Sequence, residues 1–222
     1  MSTKGLAVGS DYHPREEFLN ALLHGLGVVF GIVALVLMLV KAVGSSVSFS
    51  GFQITGLALY GASLIVMFLS STLYHSLSNT RAKSVLKRLD HCAIFALIAG
   101  TYTPILLIGL ATSKALVLFW VLWGIALTGI VFKVFFVHRF DRASLLAYLG
   151  MGWLSVLIIK DMLHALDPAA LVLIVLGGVL YTVGTIFYAA KNRRYTHAIW
   201  HLFVLGAAVC HALAIGLYVV RA

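Results

Sequence analysis

Seven stretches of this 222-residue chain are each about as long as a bilayer is thick, and they leave little chain for anything else. A helix needs roughly 20 mostly apolar residues to cross the hydrocarbon core. Such runs lie near residues 18–40, 52–76, 89–110, 115–136, 143–163, 169–190 and 197–220. In lipid every backbone polar group must be satisfied within the spanning structure, so runs of this length are helices. The expected fold is therefore an all-α membrane protein, a single seven-helix transmembrane bundle over residues 1–222 with no room for a domain outside the membrane. Composition agrees: 62% of residues are hydrophobic and 10% charged, against about 25% charged in a soluble domain. Pro14 with Glu16 and Glu17 marks the opening of the first helix and Pro168 that of the sixth, while Pro104 predicts a kink inside the third. The tail Met1 to Arg15 is polar, with no apolar signal-peptide core, so the first span is expected to insert directly.

The net charge of +9 invites a nucleic-acid partner, but the basic residues sit in short blocks between apolar runs, a pattern that sets topology. No nucleic-acid role is expected. Of the 16 Lys and Arg, Lys4 and Arg15, the Arg81–Arg88 block, Lys133 with Arg139 and Arg142, and Lys191 with Arg193 and Arg194 fall at one set of span ends. Only Lys41, Lys114, Lys160 and Arg221 fall at the other. Twelve against four places the N-terminus in the cytoplasm and the C-terminus outside. Cys92 and Cys210 are expected roughly 20 Å apart in depth at ~1.5 Å of rise per residue, which excludes a disulfide.

Against this apolar background the ionisable residues stand out. His197 and His201 lie four apart at the start of the last span, so both side chains share one helix face. Alone, the pair is as compatible with interhelical hydrogen bonding as with a metal. His75 ends the second span and Asp90 begins the third, at the same membrane boundary. Burying ionisable groups in lipid is costly unless they satisfy one another or an ion. Three imidazoles at one depth favour the ion, and three protein ligands plus water is the usual layout of catalytic zinc. Asp90 can orient a ligand or take a proton from a metal-bound water; as a helix-start acid it also has a purely structural reading. Ser71, one turn before His75, can serve Asp90, the water or an oxyanion, or simply pack between helices.

Glu17, Asn20 and His24 form an inward stripe on the first span, expected to back the ligands or line a cavity rather than ligate. His91 points roughly 100° away from Asp90 and His211 lies too far up the last helix to share the ion. His13 and His138 are expected to be solvated and His164 external. Tyr and Trp near span ends are expected to be interface anchors.

Ser71-x3-His75, Asp90 and His197-x3-His201, on spans two, three and seven, resemble the motifs of the PAQR family of adiponectin and progestin receptors. The bacterial hemolysin III (TrhA-like) proteins are members, and the wider superfamily includes alkaline ceramidases. Glu17-x2-Asn20-x3-His24 and Gly100-Thr101-Tyr102-Thr103-Pro104 extend the likeness over nearly the whole chain. The resemblance implies a bundle in the bacterial plasma membrane. It implies Zn2+ on His75, His197 and His201 toward the cytoplasmic face, with Asp90 at the zinc water and Ser71 beside it. It also places Tyr102 with Glu17, Asn20 and His24 around the cavity. Relatives are linked to hydrolysis of ceramide or other lipid amides, and bacterial members to membrane homeostasis or cell lysis.

Three functions compete on this basis. A zinc-dependent hydrolase of a lipid-like amide or ester uses all the parts. A receptor or sensor would need the zinc only to tie helices together. A lytic pore fits poorly with uniformly apolar spans and would need oligomerisation, for which the sequence carries no signal. A transporter is weaker still, because seven spans do not divide into equal inverted halves and the runs carry few acids beside Asp90.

Overall fold

The computed structural model describes residues 12–77, 80–136, 140–190 and 193–220. Lys4, His138, Arg139, Lys191 and Arg221, placed above at span ends, lie outside the described residues, as does the tail before Tyr12.

Polar side chains are buried and large apolar ones face outward, the reverse of a water-soluble protein. On α1 (Pro14–Gly44) Glu17, Asn20 and His24 are buried while Val33, Val36, Leu37 and Val40 are exposed. Seven helices are long and apolar enough to cross a membrane, and the chain is a multi-pass membrane protein. Among the described residues there is no strand. The spans are α1, α2 (Gly51–Ser76), α3 (Thr80–Pro104) with a π-helical extension Ile105–Leu110, and α4 (Ser113–Phe136). The fifth is α5 (Asp141–Gly152), a 3-10 segment Leu154–Ile158 and α6 (Ile159–Ala165). Then follow α7 (Pro168–Ala189) and α8 (Thr196–Leu213) with a π-helical end, Ala214–Val219. The third span is the most enclosed and stands at the centre.

The helix starts follow local chemistry. Pro14 and Pro168 occupy first-turn positions where a missing N–H costs nothing, and His13 and Asp167 cap the helices behind them. His13 is exposed. Ser50 and Gln53 form a reciprocal capping box on α2. Two helices outrun their apolar stretches. α1 begins at Pro14, as its proline and acids predict, ahead of the apolar run near residue 18, and the third span starts at Thr80 rather than 89, because charged residues continue a helix past the membrane boundary without breaking it.

Pro104 stands where α3 gives way to the π-helical turn, which closes at Ala111 in the left-handed region (φ 48°). Gly100 allows α2 and α3 to meet closely: a Cβ there would collide with the Ser63 side chain and lie 3.5 Å from Tyr60 Cα. The fifth span is broken at Trp153, which the sequence did not suggest. Tyr102 repairs the break: its hydroxyl donates to the Gly152 carbonyl (2.6 Å) and accepts from the Ser155 N–H (3.0 Å). Inside a membrane such orphaned backbone groups need a protein partner.

Two ties join α1 to the last span. At one end are the contacts of Asn20 described below. At the other, Lys41 donates to the carbonyls of Gly216 (2.9 Å) and Leu217 (3.3 Å) in the π-helical end. Cys92 and Cys210 are both free thiols.

Candidate metal centre and its cavity

Four helix ends converge at one end of the bundle: the start of α1, the end of α2, and the starts of α3 and α8. α8 begins abruptly. Tyr195 takes the left-handed conformation (φ 64°), and Thr196 Oγ1 lies 2.9 Å from both the Ala190 and Arg193 carbonyl oxygens, holding the turn. His197 and His201 then project from the first turns of α8 toward His75 at the end of α2.

The three imidazoles each offer a nitrogen, and these lie within 4.8 Å of one another. His197 Nε2 and His201 Nε2 are 3.0 Å apart. For comparison, Zn–N bonds of ~2.0–2.1 Å in a tetrahedron put two nitrogens about 3.3 Å apart. The opposite ring nitrogens are occupied. His75 Nδ1–H donates to Glu17 Oε2 at 2.5 Å, and His201 Nδ1–H donates to the Asn20 carbonyl at 3.3 Å. Each bond leaves Nε2 as the lone-pair nitrogen, and His75 Nε2 is buried with no hydrogen-bond partner. Carboxylates and carbonyls behind imidazoles are how ligating histidines are oriented. This donor set fits a metal ion, and the three-histidine group can hold one.

The support behind it is continuous. Glu17 Oε1 accepts from Lys83 Nζ at 2.7 Å, and the same ammonium lies 5.0 Å from the Tyr74 ring centroid. Asn20 Nδ2 stands 3.5 Å from His75 Nδ1. His24 stacks on His201 with ring centroids 3.7 Å apart and planes 10° from parallel, so its nitrogens do not converge with the three. Phe68 makes a T-shaped contact with His24, ring centroids 5.1 Å apart. Gly27 leaves the space that the Phe68 ring fills, since a Cβ there would collide with it. Tyr12 stacks on His197 at 4.6 Å.

The group opens into a cavity of about 490 Å³ whose walls include His197, His201, His24, Asp90 and Ser71. Asp90 and Ser71 are not part of the ligand group. Ser71 Oγ is buried within reach of the Asp90 carboxylate, which carries part of its surface exposed. His91 donates from Nδ1 to the Lys87 carbonyl (2.8 Å) and lines the cavity next to Asp90. Tyr102 lines the middle, its hydroxyl committed to the broken fifth span. His164 is exposed and bonded to the Lys160 carbonyl. Several aromatics near span ends do more than anchor: Tyr12, Tyr74, Tyr188 and Trp200 line the cavity. In the sequence Lys83 is one of a topology-setting block, and nothing in its spacing points to Glu17, 66 residues earlier.

The fold and site together define a seven-helix membrane protein with a three-histidine group on spans two and seven. The haemolysin-III related family model matches residues 12–212, and the chain belongs to that family. It is 43% identical over 207 residues to a Bacillus subtilis protein named Hemolysin-3 homolog, covering 93% of this chain and 96% of that one. Hemolysin-3 of Bacillus cereus is 40% identical over 205 residues, covering 92% of each. The human Monocyte to macrophage differentiation factor is 30% identical over 171 residues, covering 73% of this chain and 70% of its own.

Proposed function

We propose that the chain is a zinc-dependent hydrolase of a lipid-like amide or ester, with zinc on His75, His197 and His201 at the cytoplasmic end of the bundle. The observation that carries the reading is the unpartnered His75 Nε2 beside the His197–His201 pair, at the mouth of a long cavity that also holds Asp90 and Ser71. The charge bias of the span ends supports the cytoplasmic placement.

Bound there, zinc would supply Lewis acidity and an acidified water near neutral pH. The protein supplies the rest. Glu17 and the Asn20 carbonyl fix the tautomers of His75 and His201 so that both present Nε2. Asp90 holds at its carboxylate the proton released by the attacking water and returns it to the leaving group. Ser71 Oγ–H, held beside Asp90, donates to the oxygen of the scissile carbonyl as charge develops there. The apolar cavity wall aligns the chain of the substrate and keeps bulk water away.

The test is metal content and hydrolysis measured together on purified protein in detergent, against a panel of lipid amides and esters. Native protein is expected to hold about one zinc per chain; His75→Ala and His197→Ala lose it, and Asp90→Ala keeps it while losing turnover. Full zinc occupancy with no hydrolysis of any substrate, and with cellular function intact in Asp90→Ala, would leave a metal that merely ties α2 to α8.

A further inference from the structure

The three histidines are not equally enclosed. His75 and His201 are buried, whereas His197 keeps part of its surface open. His197 stands in the first turn of α8, one turn nearer the helix start than His201. A hydrated dication does not cross hydrocarbon. Its route to the site therefore runs through the bundle end where the four helix ends converge, and on that route it meets His197 first.

Aromatic rings line the cavity at that end. Tyr12, Tyr74 and Tyr188 are part of its wall, together with Lys87. Tyr74 belongs to α2, Lys87 to α3 and Tyr188 to α7, so none of these can swing its backbone aside without unwinding a helix. Tyr12 is different. It lies two residues ahead of α1 and outside any helix. His13 caps α1 through both its side chain and its carbonyl, so the helix keeps its start when Tyr12 turns away.

The Tyr12 ring covers the one ligand that has open surface. It lies nearly flat on His197, with centroids 4.6 Å apart and planes 19° from parallel. It also reaches His75, at 6.1 Å and tilted by 50°. Tyr188 stands farther from His197, at 6.3 Å and tilted by 42°. The close contact is thus made by the one wall residue free of helical restraint.

We propose that Tyr12 is a lid on the metal site: its ring closes the port over His197, and the ion enters and leaves when that stack opens. The stack is made to the face of the imidazole, whereas an ion binds in the plane of the ring, so the contact does not depend on occupancy. A lid differs from a ligand support in what its loss does. Removing a lid speeds entry and exit together and leaves the affinity alone. Removing a support, such as Glu17 behind His75, weakens binding.

The experiment uses the full chain purified in detergent, with zinc alone as the probe; it rests on the metal assignment and not on hydrolysis. Release is timed on mixing loaded protein with excess chromogenic chelator, and uptake on mixing stripped protein with zinc. The dissociation constant is measured separately by competition. Tyr12→Ala is expected to raise both rates by about 3–10-fold, the population held by one aromatic stack, and to leave the constant within about twofold of wild type. Tyr12→Leu keeps bulk without the ring; it moves both rates the same way and covers poor folding of the alanine variant. Tyr12→Phe keeps the ring and exchanges zinc at the wild-type rate. Wild-type rates in both Tyr12→Ala and Tyr12→Leu overturn the lid. Faster release with unchanged uptake overturns it too, since Tyr12 would then be a support of His197, as does Tyr12→Phe exchanging as fast as Tyr12→Ala. Wild type that holds no zinc is the separate failure of the metal reading, and the lid falls with it.

Discussion

Glu17→Gln isolates how the ligand set is held. Glu17 touches no proposed metal position; it accepts from His75 Nδ1–H at 2.5 Å through one oxygen and from Lys83 Nζ at 2.7 Å through the other. Glutamine keeps the size and one carbonyl acceptor but removes the negative charge that makes His75 Nε2 a stronger donor. It also leaves Lys83 without a counter-charge. Removing such support from behind a ligating imidazole commonly weakens metal binding about 10–100-fold, or roughly 1.4–2.7 kcal/mol. Glu17→Ala takes away the hydrogen bond as well and should fall at or beyond the upper end. Competition titration of purified protein against a chromogenic zinc chelator measures the constant, with His164→Ala, an exposed histidine, as the matched control. The controlling comparison is between Glu17→Gln and wild type at equal fold content. A dissociation constant that stays within twofold would refute the claim that Glu17 orients a ligand, and would reduce the contact to an ordinary buried ion pair.

Three further outcomes follow from the architecture. Tyr102→Phe strips the Gly152 carbonyl and Ser155 N–H of their shared partner, and at about 1–3 kcal/mol for each orphaned group should cost several kcal/mol, read as a lowered thermal midpoint in detergent; an unchanged midpoint would show the fifth span bridged by something else. Gly100→Val forces α2 and α3 apart at Ser63 and Tyr60 and should cost about 1–3 kcal/mol, measurable in the same way. A reporter fused to the N-terminus should be active only in the cytoplasm and one fused to the C-terminus only outside; the opposite pattern would invert the membrane placement of the histidine group.

Seven spans were legible because length and apolarity in lipid admit one solution, and the proline starts at Pro14 and Pro168 were legible because the missing N–H is tolerated there alone. The depth shared by His75, His197 and His201 could be counted from the flanking basic residues. What the sequence concealed depends on side chains meeting across long separations. The break at Trp153 is tolerated only because Tyr102, some fifty residues earlier, supplies the missing hydrogen bonds, and no local signal marks it. The stripe Glu17, Asn20 and His24 declared an inward face without declaring its partners, so that Glu17 on His75 and His24 flat on His201 emerged only from the fold. His211 could be separated from the three-histidine group by its distance along α8, but that it lines the same cavity was not visible.

The attachment of α1 at both of its ends has a mechanical consequence. Asn20 grips His201 near one membrane face, and Lys41 grips Gly216 and Leu217 near the other, so α1 acts as a splint along the seventh span. Sliding or rotating α8 would rupture both fastenings together, which locks the histidines in register with the wall behind them.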